Sequence, residues 1–173
     1  PNEVHWMRAG HGIVHSERVP KEHLGATSTH SGLQLWCAHP DGEEEQEPAF
    51  GSWTELPELN LDGARVQLLC GDGWGQRSPV AVTSELIYAM AHLRAGQRVP
   101  LPDHAERCVY PITGRVSVDG ELGETHELLV LDGEARETQL FNLKDNPREF
   151  LEQHHADAVW STIAESQGDN VVQ

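Results

Sequence analysis

The sequence is poor in cysteine and in basic residues, and both shortages restrict the functions that it allows. Its three cysteines, Cys37, Cys70 and Cys108, are far apart and lack the paired spacing of a zinc site. A reduced intracellular protein is therefore expected rather than a disulfide scaffold. Only 12 lysines and arginines stand against 28 acidic residues, and the net charge is -16. Direct nucleic-acid binding needs basic side chains that neutralise phosphates, so it is not expected.

Long apolar runs are also missing. No stretch approaches the roughly twenty apolar residues that a membrane-spanning helix requires. The first residues have neither the basic nor the apolar region of a signal peptide. We therefore expect a soluble cytoplasmic protein without membrane contacts. The sequence also contains no phosphate-binding glycine loop and no nucleophile elbow around a serine.

Residues 64–135 carry the pattern of a many-stranded β domain. Short apolar segments follow one another, and turns at 113–114, 119–120 and 132–133 contain glycine. This pattern predicts an all-β sandwich or small barrel. The residues expected in or near its core are Leu68, Ile87, Tyr88, Val109, Ile112, Val116, Val118 and Leu129.

A second signal lies near the start of the chain. Residues 6–17 have the pattern of a strand, a turn through two glycines and another strand. Side chains of an extended segment alternate between faces, so Ile13, His15 and Glu17 would project together. An imidazole beside a carboxylate supplies half of a site that suits Fe(II), Ni(II) or Mn(II). Spacing alone, however, favours an ordinary polar surface pair.

The residues around this pair resemble the pirin family of bicupins. The resemblance includes Gly-Ile-Val-His-Ser-Glu at 12–17 and covers about residues 1–135, with further matches at 33–36, 47–48, 78–80 and 106–110. It implies a cupin-type double-stranded β-helix, the RmlC-like jelly roll. In that family the histidine and glutamate of this motif are two of four iron ligands, and these positions are His15 and Glu17 here.

The other two iron ligands of pirins are histidines in a Pro-His-Pro-His-like segment well upstream of this motif. Only fourteen residues precede His15 here, and they contain no His-x-His. The resemblance therefore predicts an incomplete first barrel. For the complete protein it implies Fe(II) as the cofactor, with Ni, Mn, Co or Cu as alternatives.

The domain organisation follows from the same resemblance and from composition. Residues 1–40 are expected to be the remnant of the N-terminal cupin domain. The acidic stretch within 41–63 is predicted to be a linker that crosses to the second barrel. Residues 64–140 would form the C-terminal cupin domain, and 141–173 a tail.

The tail departs from the pirin pattern. Asn146, Pro147 and Glu149 have the N-cap, N1 and N3 positions of a helix start, and apolar residues follow at helical spacing. A helix over 147–164 is predicted, with Phe150, Leu151 and Val159 packed against the second barrel or another subunit. Residues 140–149 also resemble the C-terminal element of some sulfatases.

The second barrel is not expected to bind metal. Counted from Gly96, its ligand positions in the general cupin pattern fall at Pro102, His104 and about Cys108. A proline and a cysteine in place of two ligands leave a degraded motif. His104 is then a surface histidine, and Cys108 is a small buried residue rather than a nucleophile.

Four further histidines are weaker candidates for metal ligands. His5 could face His15 across a hairpin, but an exposed imidazole is the simpler interpretation for it and for His11. His154 and His155 would point about 100° apart on a helix, so they cannot easily bind one ion together.

The resemblance to pirins implies two possible classes of function, and a third outcome stands beside them. As an enzyme, the complete protein would be a quercetin 2,3-dioxygenase-type oxygenase that binds a small aromatic, flavonol-like substrate, with Glu17 as ligand and catalytic carboxylate. As a binding module, it would be an iron-containing, redox-responsive partner of transcription factors or metabolic enzymes, acting through protein contacts. The third outcome is a truncated paralogue without metal chemistry.

Overall fold

The computed structural model describes residues 3–19, 21–25, 27, 31–131, 139–142 and 155–161. Within these residues the only helix is a 3-10 turn at Lys21–His23, and thirteen strands make up the rest of the regular structure. In chain order the strands are β1 Val4–Arg8, β2 Ala49–Trp53, β3 Glu58–Leu61, β4 Ala64–Gly73, β5 Gln76–Arg77, β6 Ile87–Arg94, β7 Arg98–Pro100, β8 Arg107–Pro111, β9 Val116–Val118, β10 Glu121–Gly123, β11 Leu129–Leu131, β12 Gln139–Asn142 and β13 His155–Ser161.

The chain divides into two compact units. The first unit comprises Pro1–Trp6 and Gly51–Glu165, and the second unit comprises Met7–Phe50 and Ser166–Gln173. Strands β1 and β2 form a two-stranded sheet. The domain boundaries predicted above stay a prediction, although β2 and β3 lie within the 41–63 span that was expected to be a linker.

The first unit contains two larger antiparallel sheets. One has the order β10-β9-β12-β7, and the other has the order β11-β8-β13-β6-β4-β3 with β5 paired to β4. Side chains from both sheets form one buried core, in which β4 and β6 contribute Ala64, Val66, Leu68, Ile87, Ala89, Ala91 and Leu93, and β7, β8, β9 and β11 contribute Val99, Val109, Val116, Val118, Leu129 and Leu131. The all-β prediction is thus confirmed.

The predicted core residues are confirmed as well. Six of the eight are buried, and Tyr88 and Ile112 are partly buried. The alternation along β6 explains this success, because every second residue from Ile87 to Leu93 is buried and the residues between them are less so. A strand with one face on the core has this period of two.

A β-bulge in β4 creates a second, smaller core. Leu68 pairs with Ala89 and Cys70 pairs with Tyr88, so Leu69 is the extra residue. Residues directly opposite each other in an antiparallel pair share a face, and the bulge therefore moves Cys70 from the face of Leu68 to the face of Tyr88. There Cys70 packs with Val80 and Leu86 against Val4, Trp6, Trp53, Leu56, Val82 and Tyr88.

The hairpin between β4 and β5 turns through Trp74 and Gly75. Both residues have positive φ, 49° and 74°, as a two-residue hairpin turn of this type requires. Tryptophan is an unusual choice there, because a side chain with a Cβ is strained at positive φ. The indole packs on the main core, and its Nε1–H donates a hydrogen bond to the Pro100 carbonyl at 2.9 Å. These contacts hold the hairpin to the end of β7.

The predicted tail helix is wrong over 155–161. These residues form β13, which pairs antiparallel with β6 on one side and with β8 on the other. All seven residues pair with β6 and the last four, 158–161, also pair with β8, and this tertiary pairing outweighs local helix propensity. Residues 147–154 and 162–164, which include Phe150 and Leu151, lie outside the described residues. So does most of the sulfatase-like segment, of which 140–142 belong to β12.

The second strand expected within residues 6–17 is not formed, and residues 33–38, which also have a strand-like pattern, form none either. Residues 12–19, which include the His-Ser-Glu motif, have no regular secondary structure, and neither do residues 31–40. The segment 33–38 has the alternation of a half-buried strand, with Leu33 and Leu35 on one face. A strand also needs a neighbour for its backbone hydrogen bonds, and the sequence pattern does not reveal whether one is present.

Among the described residues, none of the helical structure has the length and apolar character needed to cross a bilayer.

The main core should dominate the stability of the first unit. Leu93 on β6 is fully buried, so Leu93→Ala should lower the free energy of unfolding by about 2–5 kcal/mol. Val130→Ala on β11 is the matched control, because Val130 is 69% exposed and its replacement should cost less than about 1 kcal/mol. Urea unfolding followed by tryptophan fluorescence measures both. Equal losses would contradict this assignment of the core.

Candidate metal centre

His15 and Glu17 lie in the irregular segment 12–19 of the second unit, and both are exposed. The prediction that they share a face of a strand is therefore not met in this structure. Ile13 is half-buried, whereas Val14 between it and His15 is 98% exposed. The arrangement leaves both potential ligands open to solvent and to further groups.

A tight turn fixes the chain just before this segment. The Gly12 N–H donates to the Ala9 carbonyl at 3.0 Å, and the His11 N–H donates to the Gln46 carbonyl at 3.1 Å. Gly10 has a φ of 54°, and a Cβ there would lie 1.8 Å from the Gln46 carbonyl oxygen. Only glycine fits this approach, which explains the glycine before the motif.

His11 and His5 have partners other than the motif. The His11 Nε2 lies 3.9 Å from Glu47 Oε2, and both side chains are largely exposed. His5 Nδ1 lies 2.8 Å from Ser52 Oγ, and its Nε2 lies 3.7 Å from Glu3 Oε1. The hairpin that would have brought His5 opposite His15 is not formed, because β1 pairs with β2.

Within the described residues, no three or more His, Cys, Asp or Glu side chains come together in a way that could hold a metal ion. No such group includes His15 and Glu17 of the motif, and none includes His104 or Cys108, which were counted from Gly96. His15 and Glu17 are thus at most two ligands of a site that other groups must complete, and the prediction that they bind metal stays a prediction.

The positions counted from Gly96 lie in the first unit. Cys108 is buried on β8, as expected for a small core residue. His104 is half-buried rather than a surface histidine. Burial lowers the pKa of His104 below its ordinary value of 6.5, the nearby Asp103 and Glu85 carboxylates oppose that shift, and Arg107 adds to it. His155 begins β13, and His154 lies outside the described residues.

The sequence predicted Tyr88 as a core residue but gave no sign that its phenol has a shifted pKa. Burial raises the pKa of its phenol far above the ordinary value of 10.0, and the nearby Cys70 and Cys108 thiols raise it further. The sequence predicted Tyr88 in or near the core, but the bulge that brings Cys70 beside it could not be foreseen.

The phenol should therefore stay protonated in strongly alkaline solution. The chain has two tyrosines, so Tyr110→Phe isolates Tyr88. We expect phenolate absorbance to rise well above pH 10 in the folded variant and near pH 10 after unfolding in urea. The folded state then holds the proton that the unfolded state loses, so stability should fall as the pH rises above 10. Titration of folded Tyr88 near pH 10 would contradict the buried position.

The known proteins to which this chain is similar include pirin-like proteins and a putative quercetin 2,3-dioxygenase. The Pirin family model matches residues 1–37, which include His15 and Glu17. A pirin-like protein of Caulobacter vibrioides is 40% identical over 141 residues, which are 78% of this chain and 48% of the relative. A putative quercetin 2,3-dioxygenase of Pseudomonas aeruginosa is 32% identical over 153 residues, 87% of this chain and 47% of the relative.

A solved structure agrees with the sequence relatives. The crystal structure of a quercetin 2,3-dioxygenase from Acinetobacter baumannii matches with a TM-score of 0.74 and 26% identity, over 94% of this chain and 51% of that one. The fold class is that of the cupins. Within that class the chain resembles the pirin family over the residues that align, as its motifs predicted. It spans about half the length of the curated relatives it matches.

Proposed function

We propose that this chain is part of a pirin-like metal-binding cupin in which His15 and Glu17 supply two metal ligands. One observation carries the proposal: the His-Ser-Glu motif lies within residues 1–37 that match the family, and both side chains are exposed. An imidazole nitrogen and a carboxylate oxygen are a donor pair suited to Fe(II). Fe(II) is the proposed metal of the complete protein, with Ni, Mn, Co or Cu as alternatives.

The described residues do not fit a bound metal by themselves. Two ligands leave most of the coordination sphere to water, and no third His, Cys, Asp or Glu joins them among the described residues. Two further histidines from a His-x-His segment would complete the set. We therefore propose no catalytic step for these 173 residues alone.

For the complete protein we propose oxygenase chemistry on a small aromatic substrate of the flavonol type. The support is the similarity of this chain to the Pseudomonas and Acinetobacter proteins named above as quercetin 2,3-dioxygenases. A bound metal with open positions would supply the oxygen chemistry, and Glu17 would serve as a ligand and as the base for a substrate hydroxyl proton.

A non-catalytic role is the second candidate. The net charge of -16 favours contacts with proteins over contacts with nucleic acid. An iron-containing, redox-responsive interaction module would use the same ligands without turnover. A paralogue without any metal chemistry is the remaining alternative.

Metal content separates these alternatives. We expect the 173-residue chain, loaded with Fe(II) under anaerobic conditions and desalted, to retain well under one equivalent, because two ligands hold first-row metals weakly. A version extended upstream by a pirin His-x-His segment should retain about one equivalent. Elemental analysis by mass spectrometry measures both.

The ligand assignment is tested in the extended version. His15→Ala and Glu17→Ala should each remove most of the metal. His126→Ala and Glu121→Ala, both at exposed positions of the first unit, are the matched controls and should retain it. Full metal content after both motif substitutions would show that the site lies elsewhere, and His5, His11 and His104 would be the next residues to replace.

A further inference from the structure

The exposed apolar side chains of the first unit are concentrated in one short stretch. Among the described residues of this unit, the large apolar side chains that are exposed are Leu122, Leu128 and Val130, at 56%, 53% and 69%. All three lie between the start of β10 and the end of β11. Single apolar side chains scattered over a surface need no explanation, but a local concentration of them marks an interaction site.

The same stretch contains a terminal strand of each larger sheet. Within the part of the chain that the structure describes, β10 is at one end of the four-stranded sheet and β11 is at one end of the seven-stranded sheet. The two ends are adjacent, because a Cβ at Gly123 would lie 2.6 Å from Leu129 Cδ1 and 3.3 Å from Pro111 Cγ. The outer side of a terminal strand is where an extended segment can pair as a further strand.

The outer face of the seven-stranded sheet presents an aromatic pair close to Val130. Val130 lies opposite Cys108 on β8, and Tyr110 follows two residues later on the same strand, so the three side chains share a face. Tyr110 stacks with His126, with ring centroids 6.1 Å apart and an interplanar angle of 17°. The His126 N–H donates to the Pro111 carbonyl at 2.8 Å, which holds the turn before β11 against β8. Apolar and aromatic surface thus meet at this edge.

The charge around the edge is acidic. Residues 119–127 contain no lysine or arginine and four carboxylates: Asp119, Glu121, Glu124 and Glu127. Arg115 Nη1 lies 3.7 Å from Glu124 Oε1 and offsets part of this charge. Complementary charge steers and selects a partner, so the edge favours a segment that carries basic side chains.

We propose that the β10–β11 edge, residues 121–131, docks an extended segment of another protein in which aliphatic residues alternate with lysine or arginine. The segment would pair with β11 as a further strand. Every second residue would share the face of Val130, where aliphatic side chains would cover the exposed apolar surface. The residues between them would share the face of Leu129, which lies beside Gly123 of β10. Glu121 shares that face of β10, two residues before Gly123, and would attract the basic side chains.

Charge decides between this occupant and a second copy of the chain. Two copies that paired through their β11 strands would bring their acidic 119–127 stretches together, and each copy has a net charge of -16. A basic segment is instead attracted by the same carboxylates. The edge lies in the first unit, so this proposal does not rest on the metal site proposed above.

The test uses the full 173-residue chain and labelled peptides, measured by fluorescence anisotropy in about 0.15 M salt. The probe is acetylated Lys-Val-Arg-Val-Lys-Val. One control peptide has serine in place of each valine and keeps the charge, and another has glutamate in place of each basic residue and keeps the apolar side chains. We expect the probe to bind at least about tenfold more tightly than either control. Amide hydrogens of β11 should exchange more slowly with the probe bound, and those of 33–38 should not change.

Paired apolar variants test the surface itself. Leu128→Ser with Val130→Ser should weaken binding of the probe at least about tenfold, because the aliphatic contacts are lost. Leu35→Ser with Trp36→Ser is the matched control. It removes two exposed apolar side chains of the second unit and should leave the affinity unchanged.

Paired charge variants test the acidic contribution. Glu121→Gln with Glu127→Gln keeps the shape of both side chains and should weaken binding of the probe several-fold. Glu44→Gln with Glu45→Gln changes the net charge by the same amount at exposed positions of the second unit. This control should weaken binding much less, because salt screens charges that lie far from the edge.

Any one of three results would overturn the proposal. The first is a probe that binds no more tightly than its serine control, because attraction by charge would then be the whole effect. The second is an equal loss of affinity in the Glu44 and Glu45 variant and in the Glu121 and Glu127 variant. The third is a homodimer of the chain alone that Leu128→Ser with Val130→Ser abolishes, because the occupant would then be a second copy.

Discussion

The antiparallel pairing of β4 with β6 is the interaction on which the rest of the first unit depends. Its inner face supplies the largest share of the main core, and β3, β5 and β13 all attach to one of these two strands. The bulge at Leu69 divides the pair into two parts. On one side of the bulge β4 serves the main core, and on the other it places Cys70 in the second core beside Tyr88. One extra residue thus lets a single strand support two apolar clusters.

Among the described residues of the second unit there is no comparable pair of strands. Its fixed points near the motif are local: the close approach of Gly10 to Gln46 and the hydrogen bond from Arg8 Nε to the Glu47 carbonyl at 3.0 Å. Contacts of this kind position a turn, but they bury no apolar side chain. The consequence for function is direct, because His15 and Glu17 follow that turn in a segment that no ladder orders. A metal site at this motif therefore depends on groups beyond those described here.

The sequence predicted the parts of the fold in which local pattern and tertiary context agree. The short apolar segments of 64–135 predicted an all-β domain, and within it β6 has both β4 and β13 to pair with. The local pattern predicted the wrong secondary structure where the tertiary context did not match it. Residues 155–161 had helical spacing but pair with β6, and 158–161 also pair with β8, whereas 13–17 had strand spacing but form no strand. The two potential ligands were found by motif, whereas their exposure and the perturbed Tyr88 phenol depended on packing that no single segment encodes.

Hydrogen exchange on the chain alone tests most directly whether the first unit has a core that the described residues of the second unit lack. Amides of β4, β6 and β8 should open only with global unfolding, because their strands enclose the main core. Amides of 13–17 and 33–38 should exchange at rates close to those of an unstructured peptide. Protection of these two segments equal to that of β6 would contradict the account, because it would mean that the second unit already contains the ordered, buried structure that we infer it lacks.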